Sequence, residues 1–118
     1  LVRFGTALTG RLRQGFGAQG GPFLQPATVS MLQTRQQLTS GEETDYGLGW
    51  MLETVELAGA RTRLASHASR TIEGASTSFL TFPERGLVVA VMANMSFADM
   101  RSIALGIAQA FAVLLSPR

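Results

Sequence analysis

Phe79-Leu80-Thr81-Phe82-Pro83-Glu84-Arg85-Gly86-Leu87-Val88-Val89-Ala90-Val91-Met92-Ala93-Asn94 holds the strongest structural signal in the sequence. Pro83-Glu84-Arg85-Gly86 has turn chemistry, because proline presets φ and glycine accepts a left-handed backbone. Before it, Ser76 to Phe82 is rich in Thr, Ser and Phe and predicts a strand. After it, Leu87 to Met92 is nearly continuously apolar, which predicts a strand buried on both faces in a central position with layers above and below.

Downstream of this hairpin, Ser96 resembles an N-cap with Asp99 three residues on, and a helix is predicted from about Phe97 to Leu115. Met100, Ile103, Ala104, Ile107, Phe111 and Leu114 form its expected buried stripe. Gly106 costs that helix about 1 kcal/mol relative to Ala, or permits close approach to the sheet.

Upstream, Tyr46, Leu48 and Trp50 alternate with Gly47, Gly49 and Met51, and the run continues to Leu57. Ala58-Gly59-Ala60 is turn-like, and Arg61 to His67 returns as a partner strand, giving an antiparallel hairpin. Glycines weaken the first strand, so its backbone is expected to be approached closely. His67 to Gly74 is polar and bends at its end, and Thr39 to Asp45 reads as an exposed connection.

Two short helices are expected earlier. One covers residues 1–12 on a stripe of Leu1, Phe4, Leu8 and Leu12. The other runs from about Ala27 to Thr34 with Pro26 in its first turn. The glycine-rich stretch Gln14 to Pro22 between them reads as a loop. The predicted class is α+β, an antiparallel sheet covered by helices. Residues 1–45 form a helical lead-in with loops, residues 46–95 the antiparallel strands, and residues 96–116 the terminal helix.

Composition excludes several kinds of chemistry. The 118 residues are 46% hydrophobic, enough to support a core. All ten basic residues are Arg and they are scattered, with a net charge of only +2, so no nucleic-acid partner is expected. Without Cys there is no disulfide, thiolate nucleophile or thiolate metal site, and redox compartment is left open. One His makes a histidine-rich metal site unexpected, and no cofactor is implied. Leu87 to Met95 is too short to span a bilayer.

Among the candidate chemical groups His67 stands out. It sits beside the small residues Ser66, Ala68 and Ser69, and imidazole can titrate near neutral pH. A lone His near a strand end is more often structural, and a triad needs a partnered serine and an orienting acid. No serine lies in a G-x-S-x-G elbow, and S-x-x-K cannot occur in a chain without Lys. Glu42, Glu43 and Asp45 read as a solvated cluster, and Glu53 and Glu56 fall on opposite faces of a strand. Glu73 reads as a structural partner of Arg70, and Trp50 and Phe79 as core residues. From its own residues the chain is a poor autonomous hydrolase.

In this order the segments resemble the β-lactamase-related serine hydrolases: class C β-lactamases, D-alanyl-D-alanine carboxypeptidases and related esterases. Tyr46-Gly47-Leu48-Gly49-Trp50 is similar to that family's Y-G-L-G-W segment, and His67-Ala68-Ser69 to its Lys/His-Thr-Gly strand. Phe82-Pro83-Glu84-Arg85-Gly86 and the strand ending in Asn94 are similar to its P-E-x-G turn and the strand after it. Leu1-Val2-Arg3-Phe4 and Leu24 to Val29 are similar to its preceding helices.

The resemblance covers essentially the whole chain. It implies a partial β-lactamase/transpeptidase-like fold, with this chain as the C-terminal portion of one catalytic domain. The implied partner is the missing N-terminal portion of that domain, or a partner chain carrying it. The implied reaction is serine acyl transfer on a small acyl, peptide or β-lactam substrate, with S-x-x-K and Y-x-N lying upstream. His67 then corresponds to the basic residue on the strand facing the serine, helping proton transfer or steering a substrate carboxylate. The main-chain N–H of Arg70 or a close neighbour corresponds to an oxyanion donor. Ala68 and Ser69 correspond to substrate-binding positions. They depart from the family's Thr and Gly, which weakens a β-lactamase assignment specifically. A non-catalytic homologue that binds a peptide or cell-wall-like ligand, or acts structurally, is the alternative. A third reading is an α+β domain with chance similarity. Missing sheet neighbours also predict exposed apolar surface and a tendency to self-associate. Compartment and acyl substrate stay open.

Overall fold

The computed structural model describes residues 1–9, 24–70 and 74–115. Helix α1 spans Val2–Leu8 and α2 spans Pro26–Leu32; strands β1 (Met51–Leu57), β2 (Ala60–Arg70), β3 (Ser76–Phe82) and β4 (Leu87–Ala93) follow, and α3 spans Met100–Leu114. The strands form an antiparallel meander in the order β1-β2-β3-β4. The predicted α+β class is therefore observed. The loop expected at 14–22 and Glu73, the expected partner of Arg70, lie outside the described residues.

Each hairpin follows from its turn residues. Leu57 pairs with Ala60 across a two-residue loop, and Ala58 (φ 50°) and Gly59 (φ 74°) both have positive φ, the pattern of a type I′ turn. The Ala58 N–H donates to Gln109 Oε1 at 2.9 Å, tying this tight loop to α3. Phe82 pairs with Leu87 around Pro83–Gly86, where the Arg85 N–H donates to the Phe82 carbonyl at 3.0 Å and Gly86 takes φ 60°.

Alternation along the strands separates two cores. On one face Leu57, Leu64, Leu80, Phe82 and Val89 pack against Ala104, Ala108 and Ala112 of α3. On the other, Ala65 and Phe79 gather Leu8 of α1, Trp50, and the half-buried Val29 and Leu32 of α2. The Trp50 and Phe79 rings lie 5.5 Å apart, so both are core residues, as expected.

β4 differs from its expected central position, for it is an edge of the described sheet. Its apolar run has another cause: Val89 and Val91 face α3, while Val88 and Ala90 face α1. Covering both faces requires apolar residues in succession whether or not the strand is central.

The expected helix stripes need a similar correction. α1 is anchored by Gly5 and Leu8, whereas Leu1 and Phe4 are exposed; Leu12 lies outside the described residues. A Cβ on Gly5 would sit 2.5 Å from Val88 Cγ1 and 2.7 Å from Phe79 Cζ, so glycine lets α1 rest on the sheet. α3 buries Met100, Ala104, Ala108 and Ala112, a face of mostly small residues, and leaves Ile103, Ile107, Phe111 and Leu114 exposed. Small side chains bring the helix axis close to a sheet already filled with Leu and Phe. Gly106 is not the point of close approach: nothing lies within 4 Å of its Cβ direction. Asp99 rather than Ser96 caps α3, accepting from the Ser102 N–H at 3.1 Å. Phe97 at φ 61° keeps the chain out of helix until Met100.

Candidate active site

The Tyr46–Trp50 segment was expected to open the first strand, yet it forms a tight turn before β1. Its Gly47 N–H donates to the Trp50 carbonyl at 2.7 Å, and Gly49 takes φ +83°. The Leu48 N–H donates to the Leu32 carbonyl at 3.0 Å and the Leu52 N–H to the Asp45 carbonyl at 2.8 Å, so both flanks of Gly49 are pinned. Gly47 lies against the Leu32 carbonyl so closely that a side chain there would collide with backbone. The expectation that the glycines allow close approach therefore holds at Gly47.

Because of this turn β1 starts late. Its first ladder partner in β2 is Ser66, paired with Met51. β2 continues through His67, Ala68, Ser69 and Arg70, paired with β3 alone on Phe79, Ser78, Thr77 and Ser76. Along these residues the edge facing away from β3 has no strand partner among the described residues. Outward N–H and C=O groups on such an edge can receive an extended ligand or stabilise a developing oxyanion.

All four residues singled out by the sequence lie on this overhang. His67 and Ser69 are exposed on the sheet face that carries α1 and α2, and Ala68 is exposed on the α3 face. Arg70 is the last residue of β2. His67 and Ser69 can thus meet one ligand from the same side, while Ala68 meets a different surface. A cavity of about 260 Å³ adjoins the overhang, lined by Ala68, Ser69, Ser76, Thr77, Asp99 and Arg101 among others. Arg101 closes one wall and is engaged by Glu53 of β1 through two hydrogen bonds of 2.9 and 2.8 Å.

His67 Nδ1 lies 3.0 Å from the Gly49 carbonyl oxygen. A carbonyl only accepts, so a hydrogen bond here requires the proton on Nδ1. Sequence reasoning missed this contact, because a main-chain oxygen carries no residue identity. The only available sign was a glycine next to Trp50, which signalled an unusual backbone without naming its partner. The acidic cluster behaves as expected of a solvated surface, with exposed Asp45 paired to Arg35 at 2.8 Å. A second cavity, of about 180 Å³, lies under the middle of the β1–β2 pairing, and Gln33, Arg35, Leu52 and Arg63 are among its lining residues. Both arginines there are held by carboxylates, Arg35 by Asp45 and Arg63 by Glu84. No group of three or more His, Asp or Glu side chains suited to a metal ion occurs among the described residues. No described helix is long and apolar enough to cross a membrane.

No curated protein and no solved structure matches the chain. The family model described as Beta-lactamase matches residues 1–112, from α1 to the last turn of α3. The antiparallel sheet flanked by helices accords with a β-lactamase/transpeptidase-like α+β fold. With nearly every residue inside the match, the chain belongs to the β-lactamase family.

Proposed function

We propose that this chain forms one wall of the cleft in a serine acyl hydrolase acting on a β-lactam, a D-Ala peptide or an ester. The observation that carries the reading is the overhang of β2, where His67 to Arg70 run past the start of β1 and Ala68 and Ser69 line a cavity. In this reading a serine attacks the acyl carbonyl, the C–O or C–N bond breaks so that an alcohol or amine departs or a lactam ring opens, and water then releases the acyl group. His67 assists proton transfer at the reacting oxygen or steers a substrate carboxylate. The main-chain N–H of Arg70 or a close neighbour donates to the oxyanion, a contact worth about 3 kcal/mol where such donors have been removed. Ser69 lines the substrate on the His67 side, and Ala68 meets it through the main chain of the strand edge.

The nucleophile comes from outside these 118 residues, because S-x-x-K requires a lysine and the chain has none. We place it on an N-terminal portion of the same domain or on a partner chain. Ser69 supports a second reading, a non-catalytic homologue that binds a peptide or cell-wall-like ligand. Its side chain stands exposed on the His67 side of the strand, where the family's glycine leaves room for substrate.

Labelling with a fluorescent fluorophosphonate or penicillin separates the readings. The product containing the upstream segment is expected to label on its S-x-x-K serine, and to lose the label when that serine is replaced by Ala. The 118-residue chain alone is expected to stay unlabelled. An upstream sequence without S-x-x-K, or a complete product that never labels, favours the non-catalytic reading.

A further inference from the structure

We infer that the Tyr46–Trp50 turn positions His67: the Gly49 carbonyl holds the imidazole proton on Nδ1 and leaves Nε2 as the atom that accepts a hydrogen bond or a proton. The geometry stands by itself, while its catalytic consequence rests on the hydrolase reading above.

Both ends of the contact are fixed by structure independent of it. The His67 backbone is held in register opposite Phe79. The Phe79 ring packs on Trp50, which directly follows Gly49. On the other side, the Leu48 and Leu52 N–H groups tie the turn to Leu32 and Asp45. Gly49 at φ +83° lies where L-residues are strained, and this conformation sets the direction of its carbonyl. In a neutral imidazole one nitrogen donates and the other accepts, and the bond made by one fixes the role of the other. With Nδ1 committed to Gly49 at 3.0 Å, Nε2 is left to accept. A proton taken there from an attacking O–H gives an imidazolium whose Nδ1–H still donates to Gly49. Returning that proton to the departing oxygen restores the starting tautomer. Gly49 is thus a positioning residue acting through its main chain.

Nitrogen-15 NMR of selectively histidine-labelled protein tests this, at alkaline pH where imidazole is neutral. The spectrum of His67→Gln identifies the resonance, and Trp50 near-ultraviolet circular dichroism reports the fold in the same sample. A free histidine side chain favours the Nε2–H tautomer. The native protein is expected to show mainly Nδ1–H and to revert to Nε2–H in urea. Gly49→Ala has open space around its new Cβ but keeps the backbone strain, so it is expected to tilt the carbonyl and move the ratio several-fold toward Nε2–H. Gly41→Ala carries similar strain (φ +87°) in open space and is expected to leave the ratio unchanged.

In the complete enzyme Gly49→Ala is expected to lower kcat more than it changes KM. A native protein with mainly Nε2–H would overturn the inference, as would a folded Gly49→Ala with the native ratio. If the tautomer is as expected while the complete product never labels, the positioning stands and only the hydrolase reading falls.

Discussion

Phe82→Ala is expected to cost about 3–5 kcal/mol of folding stability, toward the upper end of that range. Phe82 is fully buried where β3 meets its turn, in the cluster formed with Leu57, Leu64, Leu80, Val89 and the alanines of α3. Removing a ring from a packed core costs its transfer free energy and the cavity left behind, and the cavity term falls only if neighbours can move in. Here the facing side of α3 offers methyl groups at Ala104, Ala108 and Ala112, which are too short to reach into the gap. Folded proteins typically have about 5–15 kcal/mol of stability, so this loss takes a large share. Urea unfolding followed by Trp50 fluorescence measures it. Leu114→Ser is the matched control, since Leu114 is 78% exposed and its replacement is expected to change stability by no more than about 0.5 kcal/mol. Equal losses from the two substitutions would mean that α3 packs through its Ile103–Ile107–Phe111–Leu114 face instead.

The second large effect concerns chemistry. Under the proposed hydrolase reading, His67→Ala in the complete protein is expected to lower kcat/KM by about 10²–10⁴-fold, the usual worth of a positioned general acid–base group. His67 is exposed, and its described bond is the one to Gly49, so stability is expected to change little. The kinetic loss should appear mainly in kcat if His67 moves a proton, and mainly in KM if it steers a substrate carboxylate. His67→Gln keeps a donor and an acceptor but cannot take a proton, so it is expected to recover binding and not kcat. An activity loss that merely parallels unfolding would assign His67 a structural role.

How far the sequence could be read differs from element to element. β3, the Pro83–Gly86 turn and the body of β4 were legible because a period-2 or continuous apolar pattern met unambiguous turn residues. The start of β1 was not, because Tyr46–Met51 alternates like a strand while Gly49 at positive φ bends it into a turn. The face of α3 was misread for an energetic reason. Hydropathy ranks Ile, Phe and Leu above Ala, but a helix lying close on a sheet selects for small side chains. The β2 overhang needed structure as well, because it depends on where β1 starts. The family resemblance and the small neighbours of His67 single out His67 to Arg70 as candidates, and their role is the proposal made above. The carbonyl of Gly49 was invisible, since any residue supplies the same atom.

The most direct measurement is a crystal structure of the complete protein trapped by a phosphonate on the proposed serine. We expect the phosphonyl oxygen within about 2.7–3.1 Å of a main-chain N–H between His67 and Arg70, with His67 Nε2 turned toward the ester oxygen. A phosphonate bound away from the overhang, for instance against Arg35 and Arg63, would contradict the assignment of this strand as the cleft wall.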